Sequence, residues 1–252
     1  MPAPQVGKLN PMNSESINPY NLSERVLTYD ADMELMHPNR KKMVEIALQI
    51  LPFEPLEPFA ALELGVGTGY FTQAILNHFP NSRIIALDAA EAMIELARAR
   101  LASKAEQVEF GIGDFRLLDR IIGRQKGRLV FSSYALHHLN REEKLKVIQQ
   151  TSRYLEPGGW FLNADLIVAA HPEIENRIQE IRVQGIVRRA SGQDQRFADI
   201  ESTRRFLENL EAEDRDQPLT LAEDLQILKE AGFGNASVFW MEYREAVTGG
   251  SK

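Results

Sequence analysis

The chain has 252 residues, 44% hydrophobic and 26% charged, enough to bury one full core with an insertion rather than two independent domains. Its formal net charge of -7 argues against a broad phosphate-binding surface, so a nucleic-acid partner is not expected. Having no cysteine, it can form neither disulfides nor thiolate metal sites, and no metal site is expected. No apolar run approaches a membrane span and no signal-peptide core opens the chain, which reads as cytoplasmic.

Residues 1–21 hold four prolines among Asn and Ser and read as a mobile arm. Residues 37–50 read as a helix starting at Pro38, with Met43, Ile46, Ala47 and Ile50 on one stripe. An apolar run over 59–64 then reads as a buried strand. It leads straight into ELGVGTGY over residues 63–70, whose three alternate glycines let the backbone turn sharply and approach a ligand. Residues 71–78 read as the following helix, Pro80 and Asn81 break it, and 83–88 read as a second buried strand ending on Asp88. A helix over 92–101, a strand over 107–112 and a helix over 141–155, stopped by 157–159, follow.

Residues 171–218 exceed what such a core needs. Ile174, Ile178 and Ile181 suggest one helical stripe and Phe197, Ile200, Leu207 and Leu210 a second, so a helical pair packed over the site is expected. Its eight arginines share the segment with eleven acids, and most read as a solvated, ion-paired surface. Residues 219–233 form an amphipathic helix closed by Gly232, and 236–241 and 244–247 read as the last two strands.

Asp88 lies nineteen positions after Gly69, at the carboxyl end of the neighbouring strand, where an acid accepts hydrogen bonds from ribose hydroxyls. A nucleotide-type ligand follows, either a dinucleotide or S-adenosylmethionine (SAM). The loop reads G-x-G-x-G instead of G-x-G-x-x-G, and Glu63 before the first glycine would repel a pyrophosphate while suiting an ammonium and a sulfonium. The chain here resembles the class I SAM-dependent methyltransferase family: ELGVGTGYFT matches its first motif and ALDAAEAM its second. GDF at 113–115, VFSSYALHHL at 130–139 and YLEPGGWFLNAD at 154–165 follow in family order.

The resemblance implies an α/β fold: a doubly wound, seven-stranded, mostly parallel sheet with a terminal antiparallel strand pair and a helical lid insertion. Residues 1–58 would form an amino-terminal arm and lid helices, 59–170 the SAM-binding core, 171–218 the lid insertion, and 219–252 the helix and strand pair completing the core. Gly65, Gly67 and Gly69, with Leu64 before them, would approach the methionine portion and ribose. Glu63 would anchor the ammonium and Asp88 the ribose. Ala89 and Met93 would line the adenine, with Gly113, Asp114 and Phe115 beside its amine and Ser132 at the fourth strand. Tyr29 and Arg40 match relatives that close an amino-terminal helix over SAM.

Methyl transfer from a sulfonium is an in-line displacement, so alignment supplies much of the acceleration, and a base is needed only if the acceptor must lose a proton. Tyr134, His137 and His138 just past the fourth strand are the catalytic candidates; the alternative is that the paired histidines pack or cap the next helix. His37 and Asp165 are weaker candidates. The reading is a SAM-dependent methyltransferase moving a methyl group to an O, N or C atom of a small molecule, compatible with a homodimer. The alternatives are an enzyme resembling carboxy-SAM synthase, which modifies SAM itself, or a non-catalytic SAM-binding protein.

Overall fold

The computed structural model describes residues 18–21, 23–190, 192 and 194–252; most of the expected arm, residues 1–17, lies outside them. Among the described residues one seven-stranded sheet runs in the order β3 (Val108–Ile112), β2 (Arg83–Asp88), β1 (Ala60–Leu64), β4 (Gly127–Ser133), β5 (Leu155–Leu166), β7 (Glu245–Ser251), β6 (Ser237–Glu242). Strands β1 to β5 pair in parallel, and β7 runs antiparallel to both β5 and β6. The doubly wound sheet with its terminal antiparallel pair is the expected one.

A parallel sheet is covered on both faces, and the two-residue pleat sends successive side chains to opposite sides. Ala61, Leu129 and Phe131 join the core made with α2 (Arg40–Ile50), α3 (Tyr70–His78) and α4 (Glu91–Arg100). Their neighbours Leu62, Leu64, Val130 and Phe161 face α5 (Leu118–Ile122), α6 (Arg141–Tyr154) and α9 (Leu221–Glu230). Between α6 and α9, Lys144 and Asp224 form an ion pair at 2.9 Å with side chains only 1% and 5% exposed. Strand order reverses between β1 and β4, which opens a crevice at the carboxyl ends of the strands.

Two expectations need correction. The helix expected over 37–50 begins only after Asn39, as α2, and a further helix precedes it, α1 (Ser23–Met36), which ends where Pro38 follows. Proline disfavours helical geometry in the residue before it, so the chain turns there. In the insertion, α7 (Pro172–Ala190) and α8 (Ile200–Asp214) form the expected helical pair, but Ile174 and Ile200 are exposed. Of the second stripe, Phe197 and Leu207 are buried as expected, but they pack with Val183, Ile186 and Ala190 of α7 and Met36 of α1. The stripe is displaced because α1, which sequence periodicity did not delimit, packs against the carboxyl-terminal half of α7. No helix among the described residues is long and apolar enough to cross a membrane.

Candidate functional site

The loop leaving β1 takes left-handed geometry at three glycines, Gly65 (φ 74), Gly67 (φ 51) and Gly69 (φ 78). The three serve different ends. A Cβ on Gly65 would lie 2.4 Å from that of Ala135, and one on Gly69 would press on Ala97 and Leu101 of α4; one on Gly67 would meet no atom within 4 Å. Only at Gly67 is the missing side chain replaced by open space, a cradle for a ligand. Asp88 fixes the loop: its Oδ2 accepts from the Gly67 N–H at 2.8 Å and its Oδ1 from the Ala90 N–H at 2.9 Å.

Above this loop a cleft encloses about 960 Å³. Its floor includes Gly65, Gly67, Glu63 and Asp88, one wall Ala89, Met93 and Phe115, and the other Tyr29, Arg40 and Tyr70. Residues expected from sequence that do not line it are Leu64, Gly69, Gly113 and Ser132. Leu64 faces the α5–α6 side, and the Ser132 hydroxyl donates to the Leu64 carbonyl at 2.8 Å; the pleat gives the cleft Ser133 instead. Asp114 does reach the cleft, but its carboxylate is held by the Arg116 guanidinium and backbone N–H. The Asp114 side of the cleft is therefore a paired Asp114–Arg116 edge.

The α1 helix is clamped over the glycine loop by residues that sequence reading missed. Asp30 accepts from Arg40 at 2.9 Å, from the Thr68 hydroxyl at 2.9 Å and from Arg100, while Arg40 also stacks 4.1 Å over the Tyr70 ring. Asp30 stands about forty residues from Thr68 and seventy from Arg100, so no local pattern announces it.

A second cavity of about 1520 Å³ adjoins the first and shares Tyr20, Tyr29, Met33 and Tyr134 with it. The lid supplies Arg182, Arg196, Phe206, Leu210 and Glu211 to this cavity. Its arginines are paired within the protein, Arg182 with Glu211 and Arg196 with Asp32 and Asp194.

Tyr134 has a positive φ of 47, uncommon for a bulky residue and typical of functional sites. Its hydroxyl donates to Glu245 Oε1 at 2.7 Å; His37 Nδ1 lies 3.1 Å from the same oxygen, and Asn39 donates to Oε2 at 3.0 Å. Burial, and then the Glu245 charge, push the Tyr134 phenol well up, so it stays protonated. Burial holds His37 below the usual imidazole range despite Glu245, so it is neutral at pH 7. With Nδ1 donating to Glu245, its Nε2 keeps a lone pair.

His137 is a different case. Burial favours its neutral form, but the charges of Asp165 and Asp216 outweigh that and push it up to about 10. Its Nδ1 is 2.6 Å from Asp165 Oδ1. A group already protonated at neutral pH is a poor base, and in this structure both His137 and Tyr134 are donors to carboxylates. His138 lies at the cofactor cleft, its Nδ1 2.9 Å from Asp216 Oδ1 and its Nε2 3.3 Å from the Tyr20 hydroxyl. Asp216 is positioned by the chain beside it, where the Gln217 N–H donates to the His137 carbonyl at 2.7 Å.

Glu63, 1% exposed, accepts from the Thr72 hydroxyl. Burial pushes its carboxyl well up, and Asp88 adds to this against the Thr72 bond and the more distant Arg40. The folded state therefore holds this proton more tightly than the unfolded chain. Its stability contribution is full below the unfolded value near 4.3 and is lost as pH rises through the folded one. Urea midpoints of the ligand-free protein should accordingly fall, relative to Glu63→Gln, as pH is raised from about 5. A difference that stays constant over that rise would show that Glu63 titrates as if unfolded.

Residues 61–159 match the family model described as "Methyltransferase domain". The chain is 34% identical over 106 residues to malonyl-[acyl-carrier protein] O-methyltransferase 2 of Ilyobacter polytropus, covering 42% of this chain and 39% of that protein. It is 30% identical over 130 residues to the uncharacterized methyltransferase YrrT of Bacillus subtilis, covering 52% of this chain and 58% of that one. The chain thus spans about two fifths to three fifths of these relatives. Among solved structures, an O-methyltransferase family protein from Burkholderia thailandensis superposes with TM-score 0.67 at 13% identity, over 95% of this chain and 65% of that one. A structure described as PigF with SAH superposes with TM-score 0.63 at 18% identity, over 95% and 62%.

Proposed function

We propose that this chain, whose residues 61–159 match a methyltransferase-domain model, is a SAM-dependent methyltransferase that transfers the methyl group of SAM to a small molecule held in the second cavity. The observation that carries this reading is the joining of two cavities through Tyr20, Tyr29, Met33 and Tyr134, with the glycine loop and Asp88 under one and the lid helices over the other. The first cavity fits SAM. Gly67 offers space where a side chain would stand, Asp88 has lone pairs left for ribose hydroxyls, and Glu63 places a buried acid below the methionine end. Ala89, Met93 and Phe115 supply apolar contact for the adenine, and Asp114 with Arg116 its polar edge.

When bound, SAM supplies an electrophilic methyl group; the protein's part is to align the acceptor and exclude water. Clamping of α1 by Asp30 and the cover of α7 and α8 provide the enclosure. Where the acceptor must lose a proton, His37 is the group of choice, a neutral imidazole oriented by Glu245 and lining the second cavity. Isothermal calorimetry should register SAM and S-adenosylhomocysteine but not NAD, because the G-x-G-x-G loop departs from the dinucleotide spacing G-x-G-x-x-G. Binding of NAD in competition with SAM would sink the assignment. Mass spectrometry of SAM recovered after incubation with hydroxyl- and amine-bearing acceptors separates methyl transfer from modification of SAM itself.

A further inference from the structure

Where the two cavities meet, His137 Nε2 and His138 Nδ1 converge on one carboxylate oxygen of Asp216. The Tyr20 hydroxyl has one proton, and its carboxylate neighbour Asp214 Oδ2, 3.0 Å away, can only accept it. Toward His138 Nε2, at 3.3 Å, the Tyr20 oxygen must therefore accept, so Nε2 carries the hydrogen. With Nε2 turned to Tyr20, Nδ1 faces Asp216 Oδ1 at 2.9 Å; the pair makes no aligned hydrogen bond, and both atoms are buried without a partner. His137 repeats the arrangement. Its Nδ1–H is taken by Asp165 Oδ1 at 2.6 Å, and its Nε2, 3.5 Å from the same Asp216 Oδ1, offers a lone pair once an ion displaces its second proton.

We propose that His137 Nε2, His138 Nδ1 and the Asp216 carboxylate bind one divalent transition-metal ion, of the zinc and cobalt class, on the boundary between the cofactor cleft and the acceptor cavity. The three ligand atoms lie within 4.8 Å of one another. Placed about 2.1 Å from each, an ion would see the 2.9 and 3.5 Å separations at angles of about 90° and 110°, both ordinary for four- to six-coordinate sites. Imidazole and carboxylate suit zinc and its neighbours. Outside the ligands stands the usual support of a metal-binding histidine. His137 gives its other N–H to Asp165 and His138 gives its own to Tyr20, which fixes both tautomers. Three protein ligands leave coordination positions open, as in catalytic rather than structural sites. His137 and Asp216 line the acceptor cavity, and an oxygen of the acceptor completes the coordination; only that last role rests on the methyl-transfer reading.

The binding itself is tested without SAM or acceptor. The full chain, stripped with EDTA and dialysed, is titrated with Co²⁺ and read by visible d–d absorption, then with Zn²⁺ by displacement of the cobalt bands and by melting temperature. One equivalent should bind. Asp216→Asn and His138→Gln, confirmed as folded by circular dichroism, should each bind at least tenfold more weakly. Tyr20→Phe, which touches no ligand atom, should weaken binding roughly 10- to 100-fold, as loss of an outer-shell partner does. Absence of the cobalt bands, or equal affinity in Asp216→Asn, would overturn the proposal and leave the cluster as an ion pair around a protonated His137. Calorimetric binding of SAM to the same EDTA-stripped protein keeps a failed metal site distinct from a failed methyltransferase reading.

Discussion

Asp88→Ala is expected to weaken SAM binding by about 1.5 to 3 kcal/mol, the range for losing hydrogen bonds to a charged acceptor. The carboxylate sits at the end of β2 with one oxygen on the Gly67 N–H and the other on the Ala90 N–H at the start of α4. On the proposed reading it does two things: it offers lone pairs to the ribose, and it holds the glycine loop in the left-handed shape that makes room for the ligand. Both are lost in the alanine variant. Stability should fall by about 1 kcal/mol, as for a lost cap, since Ala90 is the N-cap position of α4. Asp88→Asn keeps an acceptor for one of the two N–H groups and should retain most of the stability while losing most of the affinity. Calorimetry on both variants decides the matter: normal affinity in either would move the ribose contact to another residue.

Lys144→Met should cost about 3 to 5 kcal/mol of folding free energy, the penalty for leaving one partner of a buried pair unmatched. Lys144 and Asp224 join α6 to α9, and neither side chain has an appreciable path to water. The ammonium also helps hold the Asp165 carboxylate in its ionised form, so its removal reaches the carboxylate that orients His137. At roughly 3 °C per kcal/mol for a domain of this size, melting should drop by about 10 °C. The double substitution Lys144→Met with Asp224→Leu should recover much of that loss, because replacing both charges leaves no unpaired buried group. A single variant that melts within about 2 °C of the parent would mean that water or another cation reaches Asp224.

Much of the cofactor half of the site was legible in the linear chain. The glycine loop, the acid at the end of the second strand and the acid before the first glycine are local signals, since a sharp turn out of a buried strand restricts residue type at fixed spacing. The alternation of Leu62, Leu64 and Val130 against Ala61, Leu129 and Phe131 likewise follows from strand periodicity. Ser132 illustrates the limit of that reading. Its place in the motif was right within one residue, but one residue along a strand reverses the face, and Ser133 lines the cleft.

What the acceptor half contains was decided only in three dimensions. Glu245, from the far end of the chain, gathers His37, Asn39 and Tyr134. Asp30 pins α1 through Thr68, Arg40 and Arg100. Asp216 reaches His137 and His138 because the turn after α8 bonds back to the chain beyond β4. In sequence each of these acids is one among 36, with ordinary neighbours. The histidine pair read equally as bases or as packing, and the charges of Asp165 and Asp216, acting against burial, are what make His137 a cation. The chain alone thus determined the sheet, the loop and the class of cofactor, because these rest on local backbone geometry and side-chain periodicity. Protonation states and the shape of the acceptor cavity rest on which distant charges folding brings within a few ångströms in a dry interior, and only the tertiary structure settles that.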